Sequence, residues 1–333
     1  MANAIRHYGE YYLPLLKNYP TYLIYVFTKK HYFYKKHFTN KTLLMLAYID
    51  WHASPVIFTI FGFPLRWYGL MFAGAFLAGY QVLSYMFKKE GRPVEQADEL
   101  LLYAMISTVI GARLAHYFFY ERVLLMNDPV QFFISMITPP FAGLASHGTT
   151  LMFVAIYLFA KKRKVNYWYV TDRIVPTVAL GGAFIRFGNL MNSEIVGKPT
   201  NLPWAFKFFN DASLGHDYMD VVPRHPAQLY ESLSCIVIFL LLMWIWSKKK
   251  ENTPHGLMTG VFMIVLFTLR FLYEFLKENQ VSFEDSMTLN MGQWLSIPCV
   301  ILGIVALVYS LRHPVEPNST SLALDSDIKT ADS

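Results

Sequence analysis

The chain has 333 residues, 54% hydrophobic and only 16% charged, with a formal net charge of +6. Soluble domains carry about 25% charge, so the deficit points to lipid, and the Lys and Arg blocks beside apolar runs mark a membrane surface rather than a nucleic-acid footprint. Cys235 and Cys299 both lie inside apolar runs, which supports neither a disulfide framework nor a paired-cysteine metal site.

Residues 1–44 are basic and rich in Tyr and Phe. Their apolar core, Tyr22 to Thr28, is too short to span, and no small-residue cleavage site follows it. From Met45 an interfacial lead-in with aromatic anchors precedes a first span at Leu65–Phe87. A second span is expected at Leu100–Phe119. An amphipathic connection with Asp128-Pro129 and Pro139-Pro140 leads to a third at Ala142–Ala160. The fourth, Tyr167–Phe187, is interrupted by Pro176 and Gly181-Gly182, which is tolerated where helices pack closely.

Residues 188–225 form the one sizeable polar loop. A fifth span starts at Pro226, a good first helical position, and ends at Trp246. A sixth covers Gly256–Leu276 and a seventh Trp294–Leu311, and the polar tail from His313 to Ser333 reads as disordered. The fold class is therefore an all-α polytopic membrane protein of about seven transmembrane helices with a small outward-facing loop region. Its parts are the extension 1–44, the membrane core 45–312 and the tail 313–333.

Lys88, Lys89 and Arg92 follow the first span, Lys161 to Lys164 the third, Lys248 to Lys250 the fifth and Arg312 the seventh. The positive-inside rule makes that side cytoplasmic, so the start of the first span and the 188–225 loop face outward. The lysines of residues 1–44 would then sit on the wrong side. The expectation is that the working protein begins at Met45, the alternative being an interfacial amphipathic appendage.

Polar groups in apolar runs mark sites by default. Arg186 taken alone could snorkel. With Asn189, Asn192 and Glu194 at spacings of three, six and eight, a helical continuation brings much of the set near one face. Arg270 lies well inside the sixth span, where a bare guanidinium costs at least about 2.5 to 3.5 kcal/mol. Glu274, four residues on, can meet it on one helical face. The two form either a self-satisfied ion pair or an anion-binding arginine oriented by its carboxylate, since guanidinium matches phosphate in bidentate fashion.

His147, in SHGTT at the end of the third span, is either an interfacial hydrogen-bonding residue or a general base. Tyr68, in RWYGLM, belongs to an aromatic belt or supplies a phenol. His225, Gln228 and Glu231 stand at the outward start of the fifth span, and Arg113 can approach the outer half of the bundle. Asp172 lies about 20 Å from Arg186 along the helix, a poor partner for it. No metal-ligand spacing, phosphate-cradling glycine loop or Gly-x-Ser-x-Gly elbow occurs in the right context, and no cofactor is expected. The residues alone define an outward cavity suited to an anionic headgroup, in a lipid-modifying enzyme or an anion transporter; the internal repeats expected of a transporter are not found.

Seven motifs in order resemble the prolipoprotein diacylglyceryl transferases of bacterial cytoplasmic membranes. They are RWYGLM at 66–71, GARLAHYFFY at 111–120, SHG at 146–148, RFGNLMNSEIVG at 186–197, RHPAQLYE at 224–231, LRFLYEF at 269–275 and MGQWLSIP at 291–298. The resemblance implies transfer of the diacylglyceryl group of phosphatidylglycerol to the lipobox cysteine thiol of a prolipoprotein signal peptide, with release of glycerol phosphate. It further implies that Arg186 and Arg270 hold the phosphate, that Asn189, Glu194 and Gly197 shape the headgroup pocket, that His147 or Tyr68 assists the thiol, and that Glu274 orients Arg270. Departures from the family pattern are Thr149 and Ser193 in place of glycines, Ile185 where glycine is common, and Leu266 where a tyrosine is frequent.

Overall fold

Between the lead-in and the first span the backbone is extended. The computed structural model describes residues 48–138, 151–210, 221–278 and 287–314, all within Met45–Ser333, the second of the two units into which the chain divides. Strand β1 (Ile49–Trp51) is followed by a hairpin of β2 (Val56–Ile60) and β3 (Phe63–Arg66), turned by Phe61 and Gly62 at positive φ. The aromatic and β-branched residues assigned to an interfacial lead-in thus form strands, as such residues favour. β1 pairs in parallel with β4 (Phe206–Phe208), which anchors the lead-in to the polar loop; the Trp51 indole donates to the Leu190 carbonyl (3.0 Å).

The helices follow as α1 (Trp67–Lys89), α2 (Val94–Tyr120), the short α3 (Arg122–Asn127) and α4 (Pro129–Ile137), α5 (Leu151–Lys162), α6 (Tyr167–Met191), α7 (Ala227–Lys249), α8 (Leu257–Tyr273) and α9 (Met291–Arg312). Among the described residues, six helices are long and apolar enough to cross a membrane: α1, α2, α6, α7, α8 and α9. Of the predicted third span, only the part in α5 falls within the described residues. α2 starts six residues before the expected Leu100, because the charges there are matched: Glu99 receives Lys162 and Arg163 from the end of α5. Pro176 does not break α6, which runs unbroken to Met191.

Apolar side chains remain outside, with Leu77 and Val237 64% and Leu302 58% exposed, as a lipid-facing surface requires. Close helix approach comes from small residues. A Cβ on Gly260 would lie 2.8 Å from the Leu307 nitrogen, and one on Gly303 would lie 2.9 Å from the Met263 Cβ, so α8 and α9 touch backbone to side chain.

The basic ends of α1 and α7 meet the starts of α6 and α8 around one buried carboxylate. Glu90 pairs with Arg173 (2.9 Å), both side chains fully buried, and also accepts from the Tyr169 hydroxyl and the Trp246 indole. The guanidiniums of Arg92 and Arg173 lie over the Tyr169 ring at 4.2 and 4.0 Å. Beside this node Asp172 accepts from the backbone N–H groups of Gly256 and Thr259 (2.8 Å each) and from the Thr259 hydroxyl (2.7 Å). It therefore caps α8 from a neighbouring helix, satisfying donors that a helix start leaves open.

Two outcomes follow. Replacing Asp172 with Ala leaves buried donors unmet and lowers stability by about 1 to 3 kcal/mol, read as a lower thermal unfolding midpoint in detergent. Burial, with Arg173 and Arg92 nearby, pushes the His255 imidazole down to about 4. The unfolded chain then binds a proton that the folded one refuses, so stability is full above about pH 6.5 and falls as pH drops toward 4. His255→Gln removes that part of the acid sensitivity in a pH series of unfolding midpoints.

Candidate functional site

The opposite end of the bundle gathers the end of α6, the start of α7, the end of α8 and the start of α9. α6 ends at Met191, and the chain turns through two left-handed, non-glycine residues, Ser193 (φ 54°) and Ile195 (φ 57°). Such backbone costs about 1–2 kcal/mol per residue and is worst for a β-branched side chain. The turn folds Glu194 back on its own helix. Its carboxylate accepts from the amides of Asn189 (3.3 Å) and Asn192 (3.0 Å), and its carbonyl is held by the buried Gln228 amide from α7. Asn189 in turn accepts from Arg186 Nη1 (3.5 Å). The spacing argument that grouped Arg186, Asn189, Asn192 and Glu194 is met by this turn rather than by a helical continuation.

Gly197 sits where the polar loop crosses the ends of α7 and α8. A Cβ there would lie 2.5 Å from the His225 Cβ and 2.6 Å from the His225 carbonyl oxygen. Its N–H donates to that carbonyl (3.0 Å), and the next amide, Lys198, reaches the Leu276 carbonyl (2.7 Å). His225 approaches the Tyr230 hydroxyl (3.4 Å), which also receives the Trp204 indole (2.9 Å); burial lowers the His225 pKa.

Arg186 and Arg270 line one cavity of about 190 Å³. Glu231, Ser234, Cys235 and Tyr273 share its wall, and the remainder is apolar, including Ile238, Phe262, Leu266 and Phe267. Arg186 Nε lies 2.9 Å from Glu231 Oε2, at an angle that makes an ion pair but no hydrogen bond. Among the described residues Arg270 has no hydrogen bond or ion pair. The expected Arg270–Glu274 contact is not made: Glu274 turns instead to Lys277 (3.0 Å) and to the Asn290 amide (3.0 Å), in room left by Gly292, where a Cβ would lie 2.7 Å from the carboxyl carbon.

Lys277, which the sequence reading did not single out, is 2% exposed and bridges Glu274 to Glu231 (2.7 Å). Its spacing of three from Glu274 was the available signal, overshadowed by Arg270 at four. Tyr68, at the start of α1, packs against α6 at Gly188 and lies within electrostatic reach of Glu194 and Arg186. Arg113 stands apart: it donates to the carbonyls of Met136 (3.0 Å) and Ser135 (2.9 Å) at the end of α4 and stacks on Tyr117. His147 lies outside the described residues.

A polytopic helical membrane protein with two guanidiniums lining a largely apolar cavity fits the class that handles anionic amphiphiles. The chain belongs to the prolipoprotein diacylglyceryl transferase family, whose model matches residues 55–309. It is similar to the phosphatidylglycerol–prolipoprotein diacylglyceryl transferases of Bacteroides fragilis, at 39% identity over 278 residues (80% of this chain, 96% of the relative), and of Tolumonas auensis, at 39% over 265 residues (79% and 98%). The enzyme of that name from Porphyromonas gingivalis is 37% identical over 283 residues (81% and 97%). These bacterial relatives are transferases, which leaves the transporter reading without support.

Glycine suits a φ of 54°, so Ser193→Gly relieves strain and removes a buried hydroxyl that has no hydrogen-bond partner among the described residues. It should raise stability by about 1 kcal/mol, seen as a higher unfolding midpoint. Gly197→Ala, with no room for the methyl, should lose about 1–3 kcal/mol in the same measurement.

Proposed function

We propose that this protein transfers the diacylglyceryl group of phosphatidylglycerol to the lipobox cysteine thiol of prolipoproteins. The observation that carries the reading is the largely apolar cavity lined by both Arg186 and Arg270, the latter without an ion pair among the described residues. An anionic phosphate and the start of two acyl chains have complementary places there, and an unpaired guanidinium in an apolar surround calls for an anion.

In the reaction the substrate sulfur attacks the glyceryl carbon, a carbon–sulfur bond forms, the carbon–oxygen bond breaks, and its electron pair leaves on the phosphate oxygen. Glycerol phosphate departs, and the thiol proton passes to a base. Arg186 and Arg270 stabilise the charge that grows on the leaving phosphate, the kind of interaction that accelerates a step because it strengthens in the transition state. Asn189, Asn192 and Glu194 fix the Arg186 end of the site, Gly197, His225 and Gln228 hold the turn that carries them, and Glu231 sets the direction of Arg186. Tyr68 or His147 assists the thiol.

The membrane is the bacterial inner membrane, with the site on its outer side. The support is the charge pattern: the ends of α1, α5, α7 and α9 carry Lys88–Lys89, Lys161–Lys162, Lys248–Lys249 and Arg312, away from the cavity.

The test uses purified protein in detergent with phosphatidylglycerol and a lipobox peptide, followed by mass analysis of the peptide. A thiol-linked diacylglyceryl adduct is expected, and its absence from folded protein overturns the reading. Arg270→Lys and Arg186→Lys keep the charge but lose the bidentate fork, and each should lower kcat/KM by about 10²–10³.

A further inference from the structure

We infer that Lys277 is a positioning residue that keeps Arg186 available to the substrate phosphate. The inference rests on the phosphate site proposed above and adds to it the group that sets its charge. Lys277 follows the short 3-10 turn Glu274–Leu276 that closes α8, the helix of Arg270. Its ammonium reaches across to Glu231 Oε1 on α7 (2.7 Å), whose other oxygen faces Arg186 on α6 (2.9 Å). The second carboxylate on Lys277 is Glu274 (3.0 Å).

Cations and carboxylates therefore alternate from Arg186 through Glu231 and Lys277 to Glu274, with Lys277 2% exposed and Glu231 6%. At such burial Coulomb interactions are strong and water does little to screen them. Without Lys277, Glu231 has one cationic partner left. Its carboxylate then turns both oxygens to Arg186 in the fork-to-fork geometry that arginine favours. The guanidinium edge needed for phosphate is occupied by the protein's own carboxylate. With Lys277 present one Glu231 oxygen is held elsewhere, and the other lies 2.9 Å from Arg186 Nε.

The backbone serves the same end. Gly197 bridges to Lys277, and the amide of Lys198 donates to the Leu276 carbonyl, which pins the segment where the ammonium can span the two carboxylates. A purely structural brace predicts loss of stability when Lys277 is removed, and no benefit from removing Glu231 as well. The charge-setting role predicts suppression.

The test uses full-length protein in detergent, with glycerol phosphate binding by calorimetry and kcat/KM for lipobox-peptide modification. Lys277→Met should weaken glycerol phosphate binding and lower kcat/KM by about tenfold or more, the scale of coupling between buried neighbours. Lys277→Arg should stay within about threefold of wild type, since it keeps the charge at the same reach. Lys277→Met/Glu231→Gln should bind glycerol phosphate more tightly than Lys277→Met. Wild-type binding by Lys277→Met, or a double variant no better than the single one, overturns the proposal. Should Lys277→Met not fold, the comparison is Lys277→Gln against Lys277→Gln/Glu231→Gln, judged by the same criteria. Failure of wild-type protein to form the peptide adduct counts against the transferase reading alone, because glycerol phosphate binding still reports on Lys277.

Discussion

A charge placed among apolar helices must find its opposite within the protein, and both ends of this bundle are built on that constraint. Hydrocarbon offers no water to share the cost, so several of the buried cations are matched by a carboxylate from another helix or helix end. Glu90 and Arg173 do this at one end, and Glu231, Arg186, Lys277 and Glu274 at the other. The partners come from segments far apart in sequence, so pairing them also fixes which helix ends are neighbours. Breaking one side of such a pair strands a buried charge, which costs far more than the pair itself contributes.

The two ends use the constraint differently. Around Glu90 the charges are matched: Arg173, Tyr169 and Trp246 converge on one carboxylate, and Asp172 is spent on the start of α8. That end holds the bundle together. At the cavity end the pairing is left incomplete, since Arg270 has no counterion among the described residues. An incomplete pair beside an apolar cavity is what the proposed phosphate site requires. The strain at Ser193 and Ile195 fits the same division, because left-handed backbone at non-glycine residues persists where surrounding contacts over-determine it, and here Glu194 is tied by two side-chain amides and by Gln228.

Much of this was legible from residue order. Apolar runs and basic blocks gave six spans whose ends differ from the helix ends by six residues at most, and Arg186 and Arg270 stood out because arginine in an apolar run is costly anywhere. The strands of the lead-in were not legible, since the pattern that serves an interfacial aromatic belt also serves a short hairpin. Arg173 and Glu90 did not stand out because they lie beside basic clusters at the helix ends, where charge is expected. The Arg270–Glu274 pairing failed for a related reason. Helical spacing makes four residues a good distance, but it cannot weigh a competing lysine one turn further along or an asparagine sixteen residues away.

The sequence by itself determined the class, the rough limits of six of the spans and the family, because hydrophobic length, charge placement and ordered motifs are properties of the chain alone. Tertiary structure decided which charges meet. It set Lys277 between Glu231 and Glu274, left Arg270 open to the cavity, sent Arg113 to the end of α4, and made Gly197 a close crossing point against His225. The physical reason is that ion pairing is a competition among all groups brought within a few ångströms of one another, and only the packed bundle says which groups those are.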